Sequence, residues 1–147
     1  GKLSAIVTQN IDGLHQAAGS KNVFELHGSV HRNYCQKCGK FFDVNYVVNA
    51  KGVPYCDECG GIIKPDVVLY EEGLDSQTIN GAVRAISKAD MLIIGGTSLV
   101  VYPAAGMIDY FKGKYLAVLN RDATSRDKQA DLCITDPIGE VLGRIRV

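Results

Sequence analysis

Apolar residues fall along this chain in two rhythms. Short, nearly unbroken β-prone runs at residues 4–8, 66–70, 91–94, 115–119 and 132–134 predict strands. Between them the period lengthens. Ile79, Ala82, Val83 and Ile86 recur at i, i+3, i+4 and i+7 behind a cap at Asp75 or Ser76, predicting an amphipathic helix to about Ala89. Pro103 suits a first helical turn, followed by Ala104, Met107, Ile108 and Phe111 and a stop at Gly113. Pro137 repeats the device: after a cap at Asp136, Ile138, Val141, Leu142 and Ile145 mark the face of a closing helix. Strands of four or five apolar residues, each followed by a helix, imply a parallel sheet covered on both faces, a doubly wound, Rossmann-like α/β core.

Composition narrows the picture. A chain of 147 residues, 46% hydrophobic, can bury one good core and a small satellite. Sixteen basic and sixteen acidic residues cancel, which argues against direct nucleic-acid binding, a role that needs a positive surface. No apolar run is long enough to span a membrane and no secretory leader is evident, so a reducing, cytoplasmic setting is expected.

Between the first and second strands lies a different kind of signal. Cys35-Gln36-Lys37-Cys38-Gly39 and Cys56-Asp57-Glu58-Cys59-Gly60 are two copies of C-x-x-C-G, 17 residues apart. Two such pairs complete the tetrahedral S₄ shell that Zn²⁺ favours, and a following glycine can take the positive φ that turns backbone N–H groups toward sulfur. With four protein ligands, the metal is structural. Disulfides are the alternative, disfavoured because the fifth cysteine, Cys133, sits alone in the apolar run Leu132-Cys133-Ile134, where it reads as a buried free thiol. His31, four residues before Cys35, is not needed by a closed shell, and His15 reads as a helix-surface residue. Residues 31–64 thus form a small inserted zinc-ribbon module, and residues 1–30 and 65–147 the Rossmann-like domain.

Ligands of doubly wound sheets bind beyond the carboxyl ends of the strands. Three loops there are polar: Thr8-Gln9-Asn10-Ile11-Asp12-Gly13, Gly95-Gly96-Thr97-Ser98 and Asn120-Arg121-Asp122. Gly95 and Gly96 permit close backbone approach, the Thr97 and Ser98 hydroxyls can bond phosphate or ribose, and Asn120 can serve a ribose diol. Taken singly, each loop reads equally well as a tight turn, and Asp12 as the cap of a short helix of Leu14, Ala17 and Ala18 ending at Gly19. Their convergence is the signal. No G-x-G-x-x-G follows a strand, which disfavours a dinucleotide-dependent dehydrogenase.

Thr8-Gln9-Asn10-Ile11-Asp12-Gly13-Leu14-His15, then His27-Gly28, the two C-x-x-C pairs, Val67-Val68, Gly96-Thr97-Ser98-Leu99 and Asn120-Arg121-Asp122 occur in the order and spacing of the sirtuins. The chain resembles that family, the NAD-dependent protein-lysine deacylases, over essentially its whole length. The resemblance implies NAD as co-substrate, a structural Zn²⁺ on Cys35, Cys38, Cys56 and Cys59, and an acyl-lysine protein or peptide as partner. It implies that His27 is the general base for a ribose hydroxyl after the acyl oxygen attacks C1′, a task suited to imidazole. Asn10 and Asp12 would orient the nicotinamide ribose and carboxamide, with Gln9 and Ile11 beside them. Gly96, Thr97 and Ser98 would meet the adenosine-side ribose and phosphate, Asn120, Arg121 and Asp122 the adenine ribose, and Ile138 the adenine. The peptide would add as a strand between residues 67–70 and 99–102, touching Val67, Val68, Tyr70 and Val101.

Two departures accompany the match. Tyr70-Glu71-Glu72 stands where many sirtuins have Phe-Gly-Glu. The family's N-terminal segment, with its glycine-rich G-A-G-x-S pyrophosphate loop and first strands, is expected to lie outside this sequence, leaving the sheet incomplete on its N-terminal side and NAD binding by the chain alone weak. The competing view, a zinc-ribbon interaction module on an α/β scaffold, leaves Gln9, Asn10, Asp12 and His27 without a purpose.

Overall fold

The computed structural model describes residues 2–145, so residues 1, 146 and 147, at the ends of the expected Rossmann-like domain, lie outside it. The chain divides into two compact units, Gly1–Gly81 and Ala82–Val147.

The first unit opens with β1 (Ile6–Thr8), α1 (Leu14–Ala17) and β2 (Val23–Glu25), and β2 pairs parallel with β1 in the register Ile6 to Val23 and Thr8 to Glu25. This is a miniature β-α-β turn. The amide of Leu14 donates to Asp12 Oδ1 at 3.0 Å in a turn that leads into the helix, but the N-cap position itself is Gly13, which has no side chain to cap with. After Leu26 and His27 the chain enters β3 (Gly28–Cys35), the middle strand of an antiparallel sheet between β4 (Phe41–Asp43) and β5 (Ile63–Val67). The expected strand at 66–70 is therefore shifted, and it pairs antiparallel with β3 rather than joining a parallel ladder. Pairing partners decided this: Lys64 and Pro65 break the apolar run but face Tyr34 and Asn33, and Pro65 is tolerated because β5 is an edge.

The β3–β5 register slips between Ser29 and Asn33. Asn33, 1% exposed, helps fill the irregularity by donating from Nδ2 to Val30 O at 3.1 Å and Phe42 O at 3.3 Å. Asp43 then caps α2 (Val44–Val48), accepting from the Tyr46 amide at 2.9 Å. The core of this region is small: Cys35, Phe42, Cys56 and Ile63, with Val47 and Cys59 against them. Such a cluster is too small to hold a fold by burial alone, which leaves work for a metal.

The helix α3 (Ser76–Lys88) starts as expected behind Asp75, whose Oδ2 accepts from the Thr78 amide at 2.7 Å, and it runs from one unit into the next. In the second unit β6 (Met91–Gly95), β7 (Tyr115–Leu119) and β8 (Leu132–Ile134) form a parallel sheet in that order. The central strand β7 buries Leu116, Ala117, Val118 and Leu119, as a strand covered on both faces must. Ile94, Leu116 and Val118 form the core there, flanked by Leu99, Ile108 and Phe111.

Three further expectations change. The segment after Pro103 is a 3₁₀ helix, Ala104–Tyr110, not an α-helix, with Gly106 weakening its middle. The closing helix α4 (Ile138–Gly143) stops before Ile145. Cys133 is exposed, not buried, because β8 is a three-residue edge strand paired only with β7.

Candidate functional site

The four cysteines of the paired motifs meet at one point. Cys35 Sγ lies 3.4 Å from Cys59 Sγ and Cys38 Sγ 3.7 Å from Cys56 Sγ, with all four sulfurs within 4.8 Å of one another. A zinc ion with Zn–S bonds of ~2.3 Å needs sulfurs about 3.8 Å apart, so the cluster fits the ion. Gly39 and Gly60 follow the pairs with φ of 76° and 68°, and their amides close tight turns onto Cys35 O and Cys56 O, both at 2.9 Å. Gly61 is also required, since a Cβ there would sit 2.8 Å from Cys35 Sγ.

Burial alone would push the Cys35 thiol up, but the amides of Cys38 and Lys37 and the neighbouring thiols outweigh it and bring it to about 6. Cys38 gains from the Lys40 amide, yet the crowding of Cys59 and Cys35 drives it up to about 12. Four thiolates cannot coexist there without a cation. Across the knuckles Lys40 Nζ clasps Asp57 at 2.8 Å and Glu58 at 2.9 Å.

A second constellation surrounds the end of β1. His27 lies between β2 and β3, and its Nδ1 is 3.1 Å from Gln9 O. A carbonyl only accepts, so in the neutral ring the proton sits on Nδ1 and the lone pair on Nε2. Asn10 and Asp12 are exposed on the same loop, whose start is tightened by the Asn10 amide donating to Thr8 Oγ1 at 3.1 Å. Gly28 has φ of 78°, and a Cβ there would meet Asp66 O at 1.9 Å. On the facing strand the Val68 amide donates to His27 O at 3.1 Å. Val67 and Val68 are half-buried and Tyr70 is fully exposed. Glu71 takes φ of 70°, the left-handed region where glycine would sit without strain.

In the second unit the carboxyl ends of the strands converge. Gly96 N donates to Leu119 O at 3.1 Å, Asn120 N to Ile134 O at 3.0 Å, and Asn120 Nδ2 to Asp122 O at 2.8 Å. Ile138 packs where a Gly95 side chain would be, its Cδ1 at 2.3 Å from the position of a Cβ, so Gly95 makes room for Ile138. Gly96, at φ of 62°, has open space before it. The Thr97 hydroxyl accepts from the Leu99 amide at 3.2 Å, a turn contact, while Ser98, Val101, Arg121 and Asp122 are exposed.

A family model described as the Sir2 family matches residues 1–103. The chain belongs to the Sir2 family. It is 68% identical over 143 residues to an NAD-dependent protein deacetylase of Clostridium acetobutylicum, covering 97% of this chain and 58% of that protein. It is 67% identical over 146 residues to one of Clostridium perfringens, covering 99% and 60%. The chain thus spans under two thirds of the length of these curated relatives. Among solved structures, Sir2 in complex with the inhibitor EX-527, 2′-O-acetyl-ADP-ribose and deacetylated p53 peptide superposes with a TM-score of 0.87 at 40% identity, over 96% of this chain and 62% of that one. A Sir2–p53 peptide–NAD⁺ structure gives the same TM-score at 39% identity, over 96% and 61%. The α/β, Rossmann-like fold class with its cysteine knuckles is the Sir2 fold.

This Sir2 chain also holds groups that its motifs did not flag. Arg32 bonds Glu25 at 2.7 Å through its Nη1 and Asp66 at 2.8 Å through its Nε, tying β2, β3 and β5 together. Glu72 accepts from the Leu69 amide at 2.9 Å, and that bond, with Lys64 nearby, holds its carboxyl below the usual range. Both sets join residues distant in sequence or held by main chain, so no local pattern announces them.

Proposed function

We propose that the whole protein removes acetyl or other acyl groups from protein lysines at the expense of NAD, and that this chain supplies the base, the nicotinamide-ribose clamp and the structural zinc. The observation that carries the reading is the His27–Gln9 contact: it leaves Nε2 free to accept a proton, on the strand end where Asn10 and Asp12 stand. Cys35, Cys38, Cys56 and Cys59 hold the zinc, which shapes the knuckles and takes no part in the chemistry.

The acyl oxygen attacks C1′ of the nicotinamide ribose and nicotinamide leaves. His27 then takes the proton of a ribose hydroxyl as that oxygen attacks the acyl carbon; the lysine nitrogen leaves as the protonated amine, and a water molecule adds to the resulting cyclic acyl cation and opens it, so that the products are O-acyl-ADP-ribose and free lysine. Asn10 and Asp12, with Gln9 and Ile11, orient the ribose and carboxamide. Gly96, Thr97, Ser98, Asn120, Arg121, Asp122 and Ile138 serve the adenosine side. Val67, Val68, Tyr70 and Val101 pair with the substrate backbone. Residues 31–64 act as the zinc module, residues 1–30 and 65–147 as part of the NAD-binding domain, and four clustered free thiols suit a reducing, cytoplasmic location.

The test is His27→Ala in the whole protein, followed by nicotinamide release on an acetyl-lysine peptide. Turnover falls by a factor on the order of 10² or more, with NAD and peptide binding retained. Near-native turnover would remove His27 from the base role.

A further inference from the structure

The loop after β1 is held from one side by a single stretch of chain. Leu26 N donates to Thr8 O at 2.9 Å, His27 Nδ1 to Gln9 O at 3.1 Å, Val30 N to Ile11 O at 3.0 Å, and His31 Nε2 to Asp12 O at 2.9 Å. The last of these is unlike the others, because it depends on a side chain with no place in the core. His31 is exposed. Its ring lies across Gly13, which has φ of 70°, and a Cβ at Gly13 would sit 2.7 Å from His31 Cδ2 and 2.8 Å from Nε2. Ring and glycine therefore fit each other: the bond to Asp12 O forms in this pose only while position 13 lacks a side chain.

We propose that His31 is a positioning residue for the deacylation proposed above, a latch that fixes the Asp12 peptide and so aims Asn10 and Asp12 at the nicotinamide ribose, with Gly13 conserving the room it needs. The inference rests on that functional reading. A peptide group pinned by an imidazole N–H cannot rotate without breaking a bond that nothing else in the loop replaces. Asp12 also uses Oδ1 on the Leu14 amide, which leaves Oδ2 as the atom whose direction the latch sets. Since Nε2 carries a hydrogen in one neutral tautomer and in the cation, the latch needs an N–H donor and not a charge.

The experiment uses the whole, zinc-loaded protein with NAD and an acetyl-lysine peptide, reading nicotinamide release while each substrate is varied. His31→Ala is expected to lower kcat/KM for NAD by a factor on the order of ten, leaving the peptide KM and the melting temperature near native, since small misplacements of reacting groups are costly and surface truncations are not. His31→Gln, whose amide can donate along a similar line, restores most of the loss, whereas His31→Phe does not. Gly13→Ala lowers kcat/KM for NAD as His31→Ala does, with a drop in melting temperature of its own from the positive φ, and in kcat/KM the double variant is little worse than either single one. If His31→Ala stays within about twofold of native while His27→Ala is dead, the latch is refuted and the functional reading stands. If His31→Gln falls with His31→Ala and melting drops in both, the role is merely structural and the proposal fails. If His27→Ala keeps native turnover, the functional reading falls and takes the latch with it.

Discussion

Gly28→Ala concentrates several features of this fold into one methyl group. The residue has φ of 78°, and its Cβ would lie 1.9 Å from Asp66 O and 2.8 Å from Asp66 C. Ordinary contact needs at least 3.4 Å, so the β5 backbone must retreat by about 1.5 Å. That retreat breaks the Gly28–Val67 end of the ladder and the Val68 N to His27 O bond. The left-handed backbone costs ~1–2 kcal/mol. Two lost hydrogen bonds cost about 1 kcal/mol each. The stiffer unfolded chain returns about 0.4–1 kcal/mol. A net loss of about 3 kcal/mol follows, a large part of the 5–15 kcal/mol typical of a domain. Urea unfolding of the zinc-loaded protein, followed by circular dichroism, measures it. Gly19→Ala is the control, because Gly19 has φ of 91° but nothing within 4 Å, so it carries only the backbone strain, about 1 kcal/mol after the same offset. Equal losses in the two variants would refute the steric argument, and nicotinamide release should fall in Gly28→Ala alone.

The cysteine centre should hold about one zinc per chain by elemental analysis, and chelation should unfold the knuckles, whose apolar core is too small to persist; a folded metal-free sample would contradict this. Cys133, exposed on β8, should react with a thiol reagent without unfolding, giving about one fast thiol per zinc-loaded chain, and protection from the reagent would show that another surface covers it. Asp75 has its carboxyl held below the usual range, chiefly by the Thr78 amide and then the Thr78 hydroxyl. Its contribution to α3 is therefore complete above the ordinary carboxylate pKa of about 3.9 and is lost as pH falls through the lower folded value. Asp75→Asn should flatten that part of the pH dependence of the urea midpoint, and an unchanged acid limb would assign it to other carboxylates.

The parts of this molecule that were readable in the sequence are those whose cause is local. The spacing of Cys35, Cys38, Cys56 and Cys59 announces one metal, and the glycines behind each pair take the positive φ expected of them. Runs buried on both faces, such as Leu116 to Leu119, declare themselves as parallel strands. What stayed hidden is held by distant partners. β2 is three residues long, and β3 loses its alternation at the slip between Ser29 and Asn33, so neither shows a period. β5 exists because β3 pairs with Ile63 and Lys64, across a proline that speaks against a strand. The exposure of Cys133 is hidden for the reverse reason: an apolar run carries no mark of standing at an edge. His27 was legible only through its motif, as its partner is the carbonyl of Gln9, 18 residues away, and carbonyls have no letter in a sequence.

The backbone carbonyls of Thr8, Gln9, Ile11 and Asp12 are held by donors that lie outside the loop, at Leu26, His27, Val30 and His31. Course and content are thereby uncoupled. Exchanging Gln9, Asn10 or Ile11 rewrites what the loop offers a ligand while its trace persists, whereas a change in the first residues of β3 carries unaltered side chains to new places. Where the loop serves the deacylation proposed above, preference can drift by point substitution without a toll on folding, and libraries at residues 9–11 would return folded variants.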